Sequence, residues 1–145
     1  MPPSVDLNAL GRLTPNRVIV FREKNKRIAF ENAQAVTVRE VHLDNEALPP
    51  DFGPRCDGVL VCPAEVPNHE HYVELKGSDV GHAVEQLRNS LQKLSRDVAR
   101  QPKSCYVISS RVPRAGTDIQ RFQRQFHRQY VSMLYVRSRE MTVAL

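Results

Sequence analysis

The sequence has no tryptophan, only three cysteines among its 145 residues, and no long uninterrupted apolar run. Cys56, Cys62 and Cys105 are an odd number of thiols at irregular spacing, which argues against a disulfide framework and favours reduced, buried side chains. No segment is apolar for long enough to cross a bilayer, and the amino terminus has neither a basic cluster nor an apolar core. These absences predict a cytoplasmic protein that makes no membrane contact.

The composition is that of an ordinary folded domain. Hydrophobic residues make up 41% of the chain and charged residues 26%, and no low-complexity tract or internal repeat interrupts it. We therefore expect a single domain over residues 1–145. The net charge of +5 permits a nucleic-acid partner without demonstrating one, and the arginines are concentrated in the second half of the chain.

The first half of the chain is patterned for strands. Two short β-branched runs around a polar turn predict a hairpin, and three further runs predict strands, the first of them with a bend. The hairpin covers Arg17–Phe21 and Lys26–Phe30, and the strands cover Ala35–Leu43, Cys56–Cys62 and His71–Lys76. Short connections favour antiparallel pairing among these strands. A short helix is expected before them, at about Val5–Leu13.

From Asp79 onward the apolar spacing changes to threes and fours, which is typical of an amphipathic helix capped by Ser78 or Asp79. Its predicted buried positions are Val80, Ala83, Val84, Leu87, Leu91, Leu94 and Val98. A buried strand at Ser104–Ser109 and a loop at Arg111–Gly116 follow. Thr117 or Asp118 then caps a second helix, and Met133–Val136 and Met141–Ala144 predict a closing hairpin. The order of elements indicates a mixed α/β fold rather than a doubly wound sheet.

Two carboxylates and a lysine fall where adjacent strands would bring them together. Asp57 lies near the start of one buried strand and Glu74 near the end of the next, so antiparallel pairing would place them side by side. Lys76 leaves the same face of the strand as Glu74, roughly 6 to 7 Å further along. Carboxylate oxygens are the ligands that Mg²⁺ or Mn²⁺ prefers, and the carbonyl of Leu75 is a candidate third ligand. This pattern predicts metal-assisted phosphodiester hydrolysis.

Three segments together resemble the PD-(D/E)XK nuclease superfamily, which includes restriction enzymes, Holliday junction resolvases and phage-defence effectors. They are RCDGVLV, HYVELKG and SDVGHAVEQLRNSL, and they span about Arg55 to Leu91. The resemblance implies a restriction-endonuclease-like mixed sheet flanked by helices. It also implies a metal-dependent nuclease acting on DNA, in phage defence or DNA repair.

Within that resemblance, Asp57 and Glu74 are similar to the metal-binding carboxylates and Lys76 to the lysine that acts on the attacking water. Gln86 is similar to the glutamine that some branches place beside the metal. Cys56 stands where the motif has proline. The family also carries an acidic residue on its first core helix, and the candidates for that role here are Asp6, Glu31 and Glu40.

Other chemistry fits the sequence less well. Cys56 and Cys62 with His69 and His71 have the wrong spacing for a structural zinc site. A cysteine nucleophile would need a partnered histidine, and no residue in the sequence identifies one. A Glu-x-Lys triplet on an exposed strand is commonly a solvated ion pair, but here it ends an apolar strand and precedes a long helix.

Arg121, Arg124 and Arg128 recur at helical spacing, so they share one face of the second helix. That face is either simply solvated or a surface that binds DNA phosphates without reading sequence. The chain carries little beyond the catalytic core, and we expect it to obtain selectivity from a homodimer or a partner protein. The rival hypothesis is a catalytically inactive nuclease fold that serves as a binding subunit of a larger assembly.

Overall fold

Nine strands and two helices make up the part of the chain that the computed structural model describes, which is residues 4–76, 79–111 and 117–145. The strands are β1 (Arg12–Thr14), β2 (Val18–Glu23), β3 (Lys26–Glu31), β4 (Val38–His42), β5 (Gly58–Cys62), β6 (His69–Lys76), β7 (Lys103–Ser109), β8 (Ser132–Ser138) and β9 (Glu140–Ala144). The helices are α1 (Val80–Leu94) and α2 (Thr117–Tyr130). Single 3-10 turns occupy Leu7–Ala9 and Leu43–Asn45.

The strands form one large mixed sheet and one small sheet. The large sheet has the order β1-β4-β5-β6-β7-β8, with antiparallel pairs up to β6 and parallel pairs from β6 to β8. Parallel pairing begins where helices α1 and α2 provide the crossover connections, as parallel strands require. The small sheet has the order β2-β3-β9. The protein is thus a single α/β domain.

Both helices cover the same face of the large sheet. Helix α1 buries Ala83, Val84, Leu87, Leu91 and Leu94, the stripe that its apolar spacing predicts. The Asp79 side chain caps it by accepting a 2.9 Å hydrogen bond from the His82 amide, while Val98 lies beyond its end. Helix α2 adds Phe126 and Tyr130 to the same hydrophobic core. Helices therefore flank only one face of the sheet.

The small sheet covers the opposite face. Ile19, Phe21, Ile28 and Phe30 of the β2–β3 hairpin pack with Leu60, Val73, Leu75, Tyr106 and Ile108 of the large sheet in a second core. At Gly58 the edge of the Phe21 ring takes the space that a side chain would need. This contact fixes the hairpin on β5 directly beside Asp57.

The predicted strands and long helices are confirmed, but, besides the position of Val98, three details of the prediction are wrong. The expected helix at Val5–Leu13 is only the turn Leu7–Ala9, because Gly11, at a φ of +64°, turns the chain into β1. The strand expected to extend to Leu43 ends at His42, where the second 3-10 turn begins. The predicted loop at Arg111–Gly116 lies outside the described residues after its first position.

The third difference is the closing hairpin, whose two strands belong to different sheets. β8 pairs in parallel with β7, whereas β9 pairs in parallel with β3. Arg139, at a φ of 66°, makes the step between them, and its backbone bonds to Ser109 of the large sheet and Arg27 of the small one. Among the described residues, neither helix is long and apolar enough to span a membrane.

Gly58→Ala should destabilise the protein by about 1 to 3 kcal/mol, because the added methyl group would overlap the Phe21 ring in a packed core. Gly81→Ala is the matched control. That glycine lies on an exposed helical surface with room for a methyl group, and its replacement should stabilise the fold by up to about 1 kcal/mol. Urea denaturation of both variants measures the difference. Equal stabilities would mean that the hairpin does not dock at this contact.

Candidate active site

The antiparallel register of β5 and β6 brings Asp57 next to Glu74. Gly58 pairs with Val73, and the amide of Asp57 donates a 2.9 Å hydrogen bond to the Val73 carbonyl. Asp57 therefore immediately precedes β5 at the point where β6 reaches Glu74. This is the convergence that the sequence predicts for the two carboxylates.

The backbone of Leu75 lies directly against Asp57. Its amide donates a 2.7 Å hydrogen bond to Asp57 Oδ2. The N–H and C=O groups of a strand residue point toward the same neighbouring strand. The Leu75 carbonyl is thus directed to the side where Asp57 lies, while its side chain is buried in the core beneath the small sheet. This orientation suits the ligand role predicted for that carbonyl.

Glu74 is a buried carboxylate beside a second one. Its exposed fraction is 3%, and its Oε1 atom has no hydrogen-bond partner among the described residues. Burial raises the pKa of Glu74 far above its ordinary value, and the negative charge of Asp57 raises it further. Burial also raises the pKa of Asp57, against the opposing effect of the Leu75 amide. The pair therefore retains a proton unless a cation balances its charge.

Lys76 and Gln86 complete the set of predicted residues. The positive charge of the half-buried Lys76 opposes the rise in the pKa of Glu74. On α1, Gln86 donates a 3.2 Å hydrogen bond from Nε2 to the carbonyl of Arg55, two residues before Asp57, and its Oε1 atom is buried without a partner among the described residues. Gln86 thus both lines the site and anchors the segment that carries Asp57.

These residues line one cavity of about 500 Å³ at the end of the large sheet. Its walls also include charged side chains that the sequence did not single out. They are Glu23, Lys24 and Lys26 at the tip of the β2–β3 hairpin, Asp44 in the turn after β4, and Arg55. The hairpin and its turn were readable from the sequence, but its docking over this end of the sheet was not.

The three acidic residues considered for the upstream role lie elsewhere. Asp6 caps the first 3-10 turn and lines a separate cavity of about 990 Å³. Glu31 is exposed at the far end of β3, and Glu40 pairs with Arg12 and His42. The acidic side chains that do reach the cavity are Glu23 and Asp44, and the negative charges of both raise the pKa of Asp57.

The donor set fits a hard divalent cation that keeps much of its water. Asp57, Glu74 and the Leu75 carbonyl supply oxygen atoms, and the orphaned Glu74 Oε1 needs a positive partner. Across residues 4–76, 79–111 and 117–145, no three His, Cys, Asp or Glu side chains come close enough together to hold a metal. Two carboxylates are nevertheless the number that Mg²⁺ commonly uses.

The alternative chemistries gain no support from the geometry. His69 bonds to Ser104 at 2.8 Å and His71 to Tyr106 at 2.9 Å, so one ring nitrogen of each is already engaged. Burial raises the pKa of all three thiols, which keeps them protonated and poorly nucleophilic. Neither a zinc site nor a cysteine nucleophile is indicated.

The arginine face of α2 lies apart from this cavity. Arg124 and Arg128 are exposed and line a different cavity of about 600 Å³, together with His127 and Met133. Arg121 is exposed too, paired with Asp118 at 3.3 Å and placed over the Phe122 ring. The predicted shared face exists, but its arginines do not join the carboxylates.

Glu74→Gln should stabilise the protein in chelator at neutral pH by about 1 kcal/mol or more, because the amide is always neutral and folding no longer has to protonate this side chain. The folded-state pKa of Glu74 is raised above its unfolded value, so this carboxyl group should lower the stability of the wild type as the pH rises above about 4.5, and the stability advantage of the variant should grow. Urea denaturation at about pH 5 and about pH 8 tests this. The exposed Glu31→Gln is the control, and a stability difference between Glu74→Gln and the wild type that does not grow over that interval would contradict the prediction.

Comparisons with protein-family models, with curated proteins and with solved structures return no match to this chain. The function of the protein must therefore be inferred from the residues of the cavity and from what their arrangement can do chemically.

Proposed function

We propose that the protein is a metal-dependent nuclease that hydrolyses phosphodiester bonds of DNA, with its active site at Asp57, Glu74 and Lys76. The observation that carries the proposal is the buried Oε1 atom of Glu74, which has no partner among the described residues and lies beside a second carboxyl group. Leaving such a group unsatisfied is costly, and protein sites that do so are commonly ligand or catalytic sites.

The order of elements supports the nuclease family resemblance. Two antiparallel strands carry Asp57 and the Glu74-Leu75-Lys76 triplet, and a helix bearing Gln86 follows and returns over the same sheet. We propose on this basis that the α/β domain is a restriction-endonuclease-like fold.

In the proposed mechanism, Asp57, Glu74 and the carbonyl of Leu75 would hold Mg²⁺ or Mn²⁺. Such a cation neutralises charge on a phosphate and eases deprotonation of water. The Lys76 ammonium stabilises the negative charge that develops as the water oxygen bonds to phosphorus. The bond to the leaving oxygen breaks, that oxygen takes up a proton, and the products are a phosphomonoester and an alcohol. Gln86 holds the Arg55–Asp57 segment in place throughout.

A non-catalytic binding subunit is the second candidate, and one observation favours it. The cavity is lined by equal numbers of basic and acidic side chains. The basic ones are Lys24, Lys26, Arg55 and Lys76, and the acidic ones are Glu23, Asp44, Asp57 and Glu74. The positive charges of the basic side chains can balance part of the negative charge of the carboxylates without a bound metal ion. Calorimetric titration with Mn²⁺ separates the two candidates, because only the nuclease should take up the ion through Asp57 and Glu74.

Asp57→Ala should abolish both Mn²⁺ uptake and DNA cleavage. Lys76→Ala should leave the binding of Mn²⁺ and of DNA intact, but it should reduce the rate of single-turnover cleavage at saturating Mn²⁺ by about a hundredfold or more. The reason is that Asp57 would bind the ion while Lys76 acts on charge present only in the transition state. Asp51→Ala and Lys93→Ala are controls of the same residue types away from the cavity. A normal cleavage rate for Asp57→Ala would place the site elsewhere.

The arginine face of α2 is proposed to bind DNA phosphates. Replacing Arg121, Arg124 and Arg128 together with Ala should weaken binding equally for unrelated DNA sequences and flatten its dependence on salt by about one unit of slope per phosphate contact. The matching triple replacement by Lys keeps the charges and should keep the slope. If the alanine variant shows an unchanged slope, the face is only solvated.

A further inference from the structure

The inner face of the β2–β3 hairpin ends in a pair of opposite charges. On this face β2 presents Ile19, Phe21 and Glu23, and β3 presents Lys26, Ile28 and Phe30. Directly opposed residues of an antiparallel pair lie on the same face, and Glu23 is opposite Lys26. The apolar members pack on the large sheet, so the charged pair at the tip reaches its end, where Asp57 and Glu74 lie.

The two members of this pair do not neutralise each other. Glu23 and Lys26 both line the cavity, yet no ion pair joins them. Lys26 has an exposed fraction of only 5%, and its ammonium group makes no ion pair or hydrogen bond with any residue in 4–76, 79–111 or 117–145. Cross-strand neighbours of opposite charge would ordinarily associate.

Lys26 lines the cavity, so its ammonium group can bind an anion that enters it. Both the Lys26 ammonium and Glu74 Oε1 lack a partner among the described residues. A cation alone would satisfy only the carboxylates. A phosphate group accompanied by a cation would satisfy both, and it would enter a cavity that already has a lysine on each wall, at Lys76 and Lys26.

We propose that the hairpin tip forms part of the active site. Lys26 contacts the phosphate of the substrate, and the negative charge of Glu23 increases the affinity of the site for the cation. This inference rests on the proposed nuclease function and adds two residues to it. Glu23 acts without ligating the ion, since no third carboxylate among the described residues is close enough to join Asp57 and Glu74. Its side chain nonetheless lines the same cavity as both of those groups, so its negative charge lies within reach of the ion site.

The test separates the two roles by two binding measurements that need no turnover. Glu23→Gln should weaken Mn²⁺ binding by about tenfold or more in calorimetry without DNA, and it should not weaken binding of a short DNA duplex in EDTA. Lys26→Met should do the reverse: its Mn²⁺ affinity should hold or rise, while its DNA binding in EDTA should weaken, with a salt slope lower by about one. Lys26→Arg keeps the charge and should keep the slope.

Controls come from the same hairpin. Glu31→Gln and Arg22→Met remove the same charges from its outer face and should match the wild type in both measurements. If the wild type binds Mn²⁺ and Asp57→Ala does not, but Glu23→Gln and Lys26→Met behave like these controls, the inference about the hairpin is overturned and the nuclease proposal stands. If the wild type itself binds no Mn²⁺, both are overturned.

Discussion

Two carboxyl groups held side by side, Glu74 buried and Asp57 half-buried, are the constraint around which this end of the molecule is organised. The β5–β6 register forces Asp57 against Glu74, and the amide of Leu75 fixes one oxygen of Asp57. Side chains from three places surround this pair in the cavity. They are Lys76 on the same strand as Glu74, Gln86 on helix α1 and Lys26 on the opposite sheet.

The opposite end of the same sheet shows the contrast. There Lys103 is also buried, but its ammonium donates hydrogen bonds to the carbonyls of Val98, Gln101 and Tyr130 at 2.7 to 2.8 Å. Glu70 likewise accepts from the Tyr72 hydroxyl and the Arg96 amide. The charged groups there are satisfied by the fold itself. The charges of Lys103 and Glu70 thus have partners within the fold, whereas Glu74 Oε1 and the Lys26 ammonium at the other end have none among the described residues.

Local patterns in the sequence predicted most of the fold. Period-two runs located the strands, and the threes and fours after Asp79 located α1, because those spacings follow directly from backbone geometry. The same patterns predicted that Asp57 lies beside Glu74, since short connections between strands imply antiparallel neighbours. Pairing between strands that are distant in the sequence could not be predicted in this way. No pattern in Met141–Ala144 indicates that this segment lies beside β3, and no pattern around Glu23 or Lys26 indicates which surface the hairpin covers. Three of the five unpredicted charged residues of the site, Glu23, Lys24 and Lys26, come from the hairpin of that second sheet.

The pairing of β3 with β9 has a consequence for synthesis of the chain. The hairpin is among the first elements made, whereas the strand that lies along it is made after both helices. A ribosome-bound chain thus holds Asp57, Glu74 and Lys76 while one edge of β3 still presents unpaired backbone groups, which are prone to pair with other chains. The wall of the cavity that bears Lys26 gains its supporting neighbour only when translation has passed Ala144.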